Sequence, residues 1–278
     1  MLTTTVDGLW VLQVLAGIEV LAPELGLRPI LPSLETPQLA LAHPIADELR
    51  AAGVIDESNA VDGAVVEWLT VLARRDVALL LRVRKPRDGG KPAQALVARF
   101  AQWWVVLERS EDFVRISPAG TANAEGAADA VLNAQIERLC GRVAPASMRP
   151  VTLDSGALLA GVTSAETLSK FLMKQQLDPD QQRMLMMATD PKRSSQASIV
   201  ALQSGVETGH PVRTHVEQSV VTIVDTPQGR LVVEHVPSAG KKWIVIAPGA
   251  PTNIASAVNQ MVRRLPADQE WFSYRKIV

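Results

Sequence analysis

Four histidines, one cysteine and two closely spaced aspartates are the residues of this 278-residue chain best suited to catalysis or metal binding, and each set fails on spacing. His210 and His215 lie five positions apart beside Pro211. That matches neither the i,i+4 spacing of a helix nor the i,i+2 spacing of a strand that would aim both rings at one metal. They read as solvated loop residues, and His43 and His235 stand alone in sequence. Asp178 and Asp180 are better explained as helix-start residues, one capping backbone N–H groups and one facing the helix dipole. Cys140 has no second cysteine to pair with, which excludes an intramolecular disulfide and any Cys-pair zinc site. It falls at the end of a predicted helix, where the dipole opposes thiolate formation. Gly89-Gly90-Lys91 lacks the earlier glycine and following hydroxyl of a phosphate loop, and no G-x-G-x-x-G, G-x-S-x-G or H-E-x-x-H occurs. The sequence therefore predicts no catalytic residue, no metal and no cofactor. The alternative is an α+β enzyme without a recognised motif, whose mark would be a strongly shifted pKa in a tight pocket.

Two groups suit contact better than chemistry. Arg82, Arg84, Lys85, Arg87 and Lys91 crowd one predicted hairpin, opposed only by Asp88. Arg82 and Arg84 share a strand face by the two-residue period. Such a prong can meet an acidic partner or simply protect a sheet edge. The second group is Met173, Met184, Met186 and Met187 beside Phe171 and Leu172 on consecutive predicted helices. Methionine adapts to irregular surfaces, so this set fits either ordinary core or a protein-binding groove.

The composition supports a packed core: 47% apolar, 21% charged and only 4% aromatic residues. A formal net charge of −1 disfavours a globally basic nucleic-acid binder, the second alternative, which would need a continuous basic face beyond the 82–91 hairpin. The first Lys or Arg is Arg28, so the start does not read as a secretion signal, and the apolar runs are strand-sized. A soluble cytoplasmic protein is expected.

The elements that would position these residues occur twice. Thr5-Val6-Asp7 and Thr152-Leu153-Asp154 each open an apolar helix, with the aspartates as expected N-caps. Trp68 to Asp76 leads into a strand Val77 to Val83, as Met184 to Asp190 leads into Ala197 to Leu202. Phe113 to Pro118 precedes a helix ending at Leu139, as Trp243 to Pro248 precedes one ending at Leu265. The expected units are 1–142 and 149–278, joined by Val143 to Met148, with both sharing one sheet. Asp62 to Arg75 is helical by period. Thr163-x-x-Glu166 and Asp178-Pro179-x-Gln181 have capping-box spacing. Strands are expected at 78–83, 94–100, 103–108, 113–117, 197–203, 220–225, 230–236 and 243–247, with Thr226-Pro227-Gln228-Gly229 as a hairpin turn. Helices first, hairpin-linked strands next and a closing helix describe an α+β fold.

With these elements in place, Val6-Asp7-Gly8-Leu9-Trp10-x-Leu12-Gln13 and Ala22-Pro23-Glu24-Leu25-x-x-Arg28-Pro29 resemble the opening of EspG proteins, the cytosolic chaperones of mycobacterial type VII (ESX) secretion. The likeness continues through Glu67-Trp68-Leu69, Arg75-Asp76, Ile223-Val224-Asp225 with Gly229-Arg230, Pro248-Gly249, Leu265-Pro266 and Glu270-Trp271, in order along the whole chain. Within the family it is similar to the member associated with the second ESX locus. The resemblance implies a quasi-twofold α+β protein whose central antiparallel sheet is flanked by two helical bundles. It also implies binding of PE–PPE heterodimers at the hydrophobic tip of the PPE subunit, without nucleic acid or membrane insertion and with self-association possible. The positions so implicated are Arg84, Lys85 and Arg87 on a loop, Phe171, Met173, Lys174, Arg183 and Met187 on helices, and Ser198, Thr222 and Val224 on strands.

Overall fold

The computed structural model describes residues 1–86, 92–205, 214–238, 240–267 and 271–272. Strand β1 (Leu2–Thr5) runs straight into helix α1 (Val6–Leu15). The cap of α1 is Thr5 rather than Asp7: its Oγ1 accepts the Gly8 N–H at 3.1 Å, while Asp7 sits in the first turn. A 3-10 turn at Pro23–Leu25 and helices α2 (Pro37–Leu41), α3 (Ile45–Ala51) and α4 (Gly63–Arg74) follow. Asp62 caps α4 through the Val65 N–H, and Val65, Leu69 and Leu72 face inward, as the 3.6-residue period requires. Four strands come next, β2 (Val77–Arg84), β3 (Ala93–Phe100), β4 (Trp103–Ser110) and β5 (Phe113–Thr121), closed by α5 (Glu125–Cys140).

The second stretch opens with β6 (Val151–Asp154) and α6 (Ser155–Gly161), where Asp154 does cap the helix, on the Ala157 N–H. Helix α7 (Ala165–Met173) starts one residue later than its expected capping box. Ser164 and Thr167 form the reciprocal pair, and Glu166 instead meets Lys170 at the surface. Asp178 and Gln181 form the box of α8 (Pro179–Ala188) as expected. Strands β7 (Ser195–Ser204), β8 (Thr214–Val216), β9 (Val221–Thr226), β10 (Gly229–Ser238) and β11 (Lys241–Pro248) precede α9 (Pro251–Val262).

Among the described residues, 11 strands form one antiparallel sheet in the order β1-β5-β4-β3-β2-β7-β9-β10-β11-β6, with β8 beside β7. Strands β2 and β7 meet at its centre, in register from Val77 opposite Gln203 to Arg84 opposite Gln196. Residues directly opposite each other share a face. One face therefore carries Leu96, Leu107 and Ile116 under α1–α4, and Val224, Leu231 and Ile246 under α6–α8. The other carries Val97, Val106, Ile199 and Ile223 under α5 and α9. The two expected helical bundles thus lie side by side on a single face, and the closing helices cover the reverse. Strands β1, β6 and β8 were absent from the expected set, since each is four residues or fewer and too short to show alternation.

Glu35 fastens the long connection between α1 and α2. Its carboxylate accepts from Trp10 Nε1 at 2.7 Å, from Arg28 Nη2 at 2.6 Å and from the Leu31 N–H. The Arg28 hydrogen bond, outweighing partial burial, lowers its pKa to about 2. A carboxylate with a depressed folded-state pKa stabilises above its unfolded value and loses that contribution as pH falls toward the folded one. Urea midpoints should therefore decline between about pH 5 and pH 2, and Glu35→Gln should remove part of that decline. An unchanged profile in Glu35→Gln would remove Glu35 from this role.

Candidate functional site

The sheet face between the bundles is only partly covered. Over the first half, α1 buries Leu9, Val11, Leu12 and Val14, and the following connection adds Leu21, Leu25, Leu27 and Ile30. Arg75 pins that connection: its Nη1 donates to Leu21 O at 2.6 Å and Leu72 O at 2.7 Å, and its Nη2 pairs with Glu24 at 2.6 Å. Over the second half, α6 has 7 residues against 10 in α1, and Leu159 is 77% exposed. Only Val162–Ser164 separate α6 from α7, so among the described residues nothing resembling the 21–30 segment seals this side.

A groove of about 400 Å³ results. Val224, Leu231 and Ile246 form its floor, while Leu158, Leu172 and Leu185 supply the helical wall. Arg84 and Gln196 stand at the rim, joined by a 3.2 Å hydrogen bond, with Thr222 beside them. Among the described residues, Arg84 is the one charged side chain in the lining. From this rim a strip of sheet continues between the bundles, carrying exposed Arg82 opposite Ser198, which in turn lies opposite Thr222. The site is an apolar trough with a positive, hydrogen-bonding lip. It offers apolar surface to desolvate.

The residues singled out from the sequence fall unequally around it. Val224, Thr222 and Arg84 line it, Val224 being buried in the floor and Thr222 half-buried. Ser198 and Lys85 lie on or beyond the adjoining strip, with Lys85 exposed. Phe171 packs half-buried against the same core, and Met187 is buried at 8% exposure rather than presented to the groove. Met173 and Lys174 are exposed at the end of α7, and Arg183 is exposed and paired with Asp180 at 2.6 Å. Arg87 and Lys91 lie outside the described residues. Sequence reasoning missed Val233, although the Thr226–Gly229 hairpin register places it opposite Thr222 and so on the same face. It also missed Leu158, for which the sequence carries no signal.

The groups whose titration is most displaced lie away from the groove. Cys140 is pushed up to about 11 by burial, and neither it nor Glu35 lines the groove. His235, on β10, is pushed down by burial and by Lys242. His215 lies exposed on β8 rather than in a loop, and His210 is outside the described residues. Among the described residues no three His, Cys, Asp or Glu side chains are grouped to hold a metal ion, and no helix is long and apolar enough to cross a membrane.

Known proteins resemble this chain in sequence and fold. The chain is 51% identical over 278 residues, the full length of both, to the ESX-2 secretion-associated protein EspG2 of Mycobacterium tuberculosis. It is 29% identical over 235 residues to the ESX-3 secretion-associated protein EspG3 of Mycolicibacterium smegmatis, covering 81% of this chain and 73% of that one. A solved structure of the M. tuberculosis type VII secretion system chaperone EspG5 in complex with the PE25–PPE41 dimer superposes with a TM-score of 0.75 over 96% of this chain and 98% of EspG5, at 19% identity. A sequence model of the EspG family matches residues 5–260, and with the full-length 51% identity this places the chain in the EspG family.

Proposed function

We propose that this protein is a cytoplasmic chaperone that grips the apolar tip of the PPE subunit of a PE–PPE heterodimer, keeps the pair soluble and directs it to one ESX secretion system. The observation that carries the reading is the second-half groove: an apolar trough with one arginine at its lip, on a chain whose relatives are named as ESX secretion-associated proteins. The EspG5 structure, with its PE25–PPE41 dimer, supports the choice of partner. An exposed apolar tip drives aggregation, and covering it raises the solubility of the pair. Val224 and Thr222 act as floor and edge of the contact, Ser198 as its continuation on the strip, and Arg84, Lys85 and Arg87 as the charged rim. Phe171, Met173, Lys174, Arg183 and Met187 shape or flank the helical wall. The alternatives fit less well, since an enzyme needs a reactive group in the trough and a nucleic-acid module needs a wider basic face.

The halves 1–142 and 149–278 are, in this reading, copies of one α+β unit sharing a sheet. Supporting this, β1, β2, β3, β4 and β5 take the places on one side that β6, β7, β9, β10 and β11 take on the other. Each side also has its helices in the same chain positions.

Coexpression with candidate PE–PPE pairs should give a complex that coelutes on size exclusion. Failure of every pair to coelute would overturn the function. Rim charges steer encounter more than they hold the complex. Arg84→Glu should therefore slow association about tenfold at low salt, with little change in dissociation, and the difference should shrink as salt rises. Stopped-flow association at several salt concentrations reads this, and a salt-independent rate would remove Arg84 from the rim.

A further inference from the structure

We propose that the aromatic hollow beside α4 is a second docking site, which takes an extended segment of a partner protein carrying small apolar side chains and a methionine between basic residues. The hollow holds about 450 Å³ at the end of the first half, far along the chain from the second-half groove. Trp68 and Val71 of α4 form one wall, and Phe100, Trp103 and Pro118 the other. Trp103 is 52% exposed, a large aromatic surface left in solvent. No described segment of the chain lies over it.

What such a site accepts is visible on the other half. The β3–β4 hairpin closes with Phe100 opposite Trp103, and the β9–β10 hairpin with Thr226 opposite Gly229. One step further, Val105 faces Pro118 as Leu231 faces Pro248. The counterpart of the hollow is therefore the space beside Gly229, between Leu231 and the methionines of α8. The chain's own linker fills it. Ala146 N–H donates to Arg230 O at 2.9 Å, and Arg230 N–H donates to Ala144 O at 2.8 Å. A Cβ on Gly229 would stand 2.7 Å from Ala146 Cα, so the linker backbone lies where a side chain would be. Ala146 is 3% exposed and, with Met148, packs into the core that holds Met184, Met186 and Leu231.

In the first half β5 itself continues along β4, pairing Gly120 with Trp104 and Thr121 with Trp103. Backbone pairing is thus already used there, and what stays open is room for side chains. Charge sets the polarity of the occupant. Glu67 is exposed on the lining, whereas Arg74 is stacked over Phe100 at 5.7 Å. Arg142 and Arg149 flank the linker in the same way a guest should be flanked to meet Glu67.

The inference rests on the equivalence of the halves and not on the client groove, and the test separates the two. The probe is the blocked linker peptide of residues 142–149, titrated into the full-length protein while tryptophan indole N–H and methyl NMR signals are followed. Shifts should be confined to Trp68, Trp103 and their neighbours. Trp103→Ala and Glu67→Arg should each weaken binding about tenfold with unaltered urea midpoints, and a peptide carrying Met148→Glu should not bind. PE–PPE coelution should survive both protein variants. The proposal fails if millimolar peptide moves no signal, if the shifts fall on Val224 and Ile246 methyls, or if both protein variants bind normally.

Discussion

Val233→Asp should abolish PE–PPE capture while leaving the protein folded. Val233 is half-buried in the groove lining, opposite Thr222 on one side and Ile246 on the other. Its side chain faces the trough rather than the packed interior, so an aspartate there keeps water until a client arrives. Binding must then strip that water from a carboxylate three strands away from Arg82, the arginine in register with it through Thr222 and Ser198, while Arg84 is level with Val224. Desolvated apolar anchors at an interface centre commonly carry about 2 kcal/mol or more each, roughly a thirtyfold change in Kd. An uncompensated charge adds its own desolvation cost. Val224 would be a poorer choice, because at 7% exposure it belongs to the floor and a charge there attacks the core itself. The measurement is calorimetric affinity for a PE–PPE heterodimer, paired with a thermal melt. Wild-type affinity in Val233→Asp would show that the client sits on another surface.

Much of this architecture was legible before any coordinates, and the reasons are specific. The strand-length apolar runs of Ala78–Val83 and Trp103–Glu108, the Pro227–Gly229 turn and the Asp178 capping box are local signals that tertiary packing had no cause to override. The EspG likeness rested on an ordered set of such residues. What stayed hidden is what depends on distance. Nothing local announces that α1–α4 and α6–α8 share one face, since that follows from the sheet register across β2 and β7. Met187 suggested an adaptable contact by its type, yet the turn of α8 that aims Leu185 at the groove sends Met187 into the core. The groove itself is a consequence of something missing: a short α6 and a three-residue connection where the first half spends the long 16–36 stretch.

The largest stability effect should come from Asp76. This carboxylate and Arg99 are both 0% exposed, 3.5 Å apart, at the end of the seam where the two halves join. Asp76 Oδ1 accepts the Val77 N–H at 3.0 Å and Oδ2 accepts the Ala101 N–H at 3.2 Å. Its backbone bonds to Arg99 O and receives the Ser204 N–H, so one residue ties the ends of β2, β3 and β7. Arg99 Nη1 reaches on to Trp271 O at 2.7 Å, fixing Trp271 against the sheet. Removing one member of a buried pair strands the other, at about 3–5 kcal/mol, whereas replacing both with apolar groups is often close to neutral. Asp76→Ala should therefore lower stability by about that amount, a fall in Tm on the order of 10 °C. The double variant Asp76→Leu/Arg99→Met should recover part of the loss even though it removes more polar atoms. Equilibrium urea unfolding of the three proteins decides the matter. A single variant within about 1 kcal/mol of wild type, or a double variant less stable than Asp76→Ala, would mean that the seam is held by its apolar strands and not by this charge.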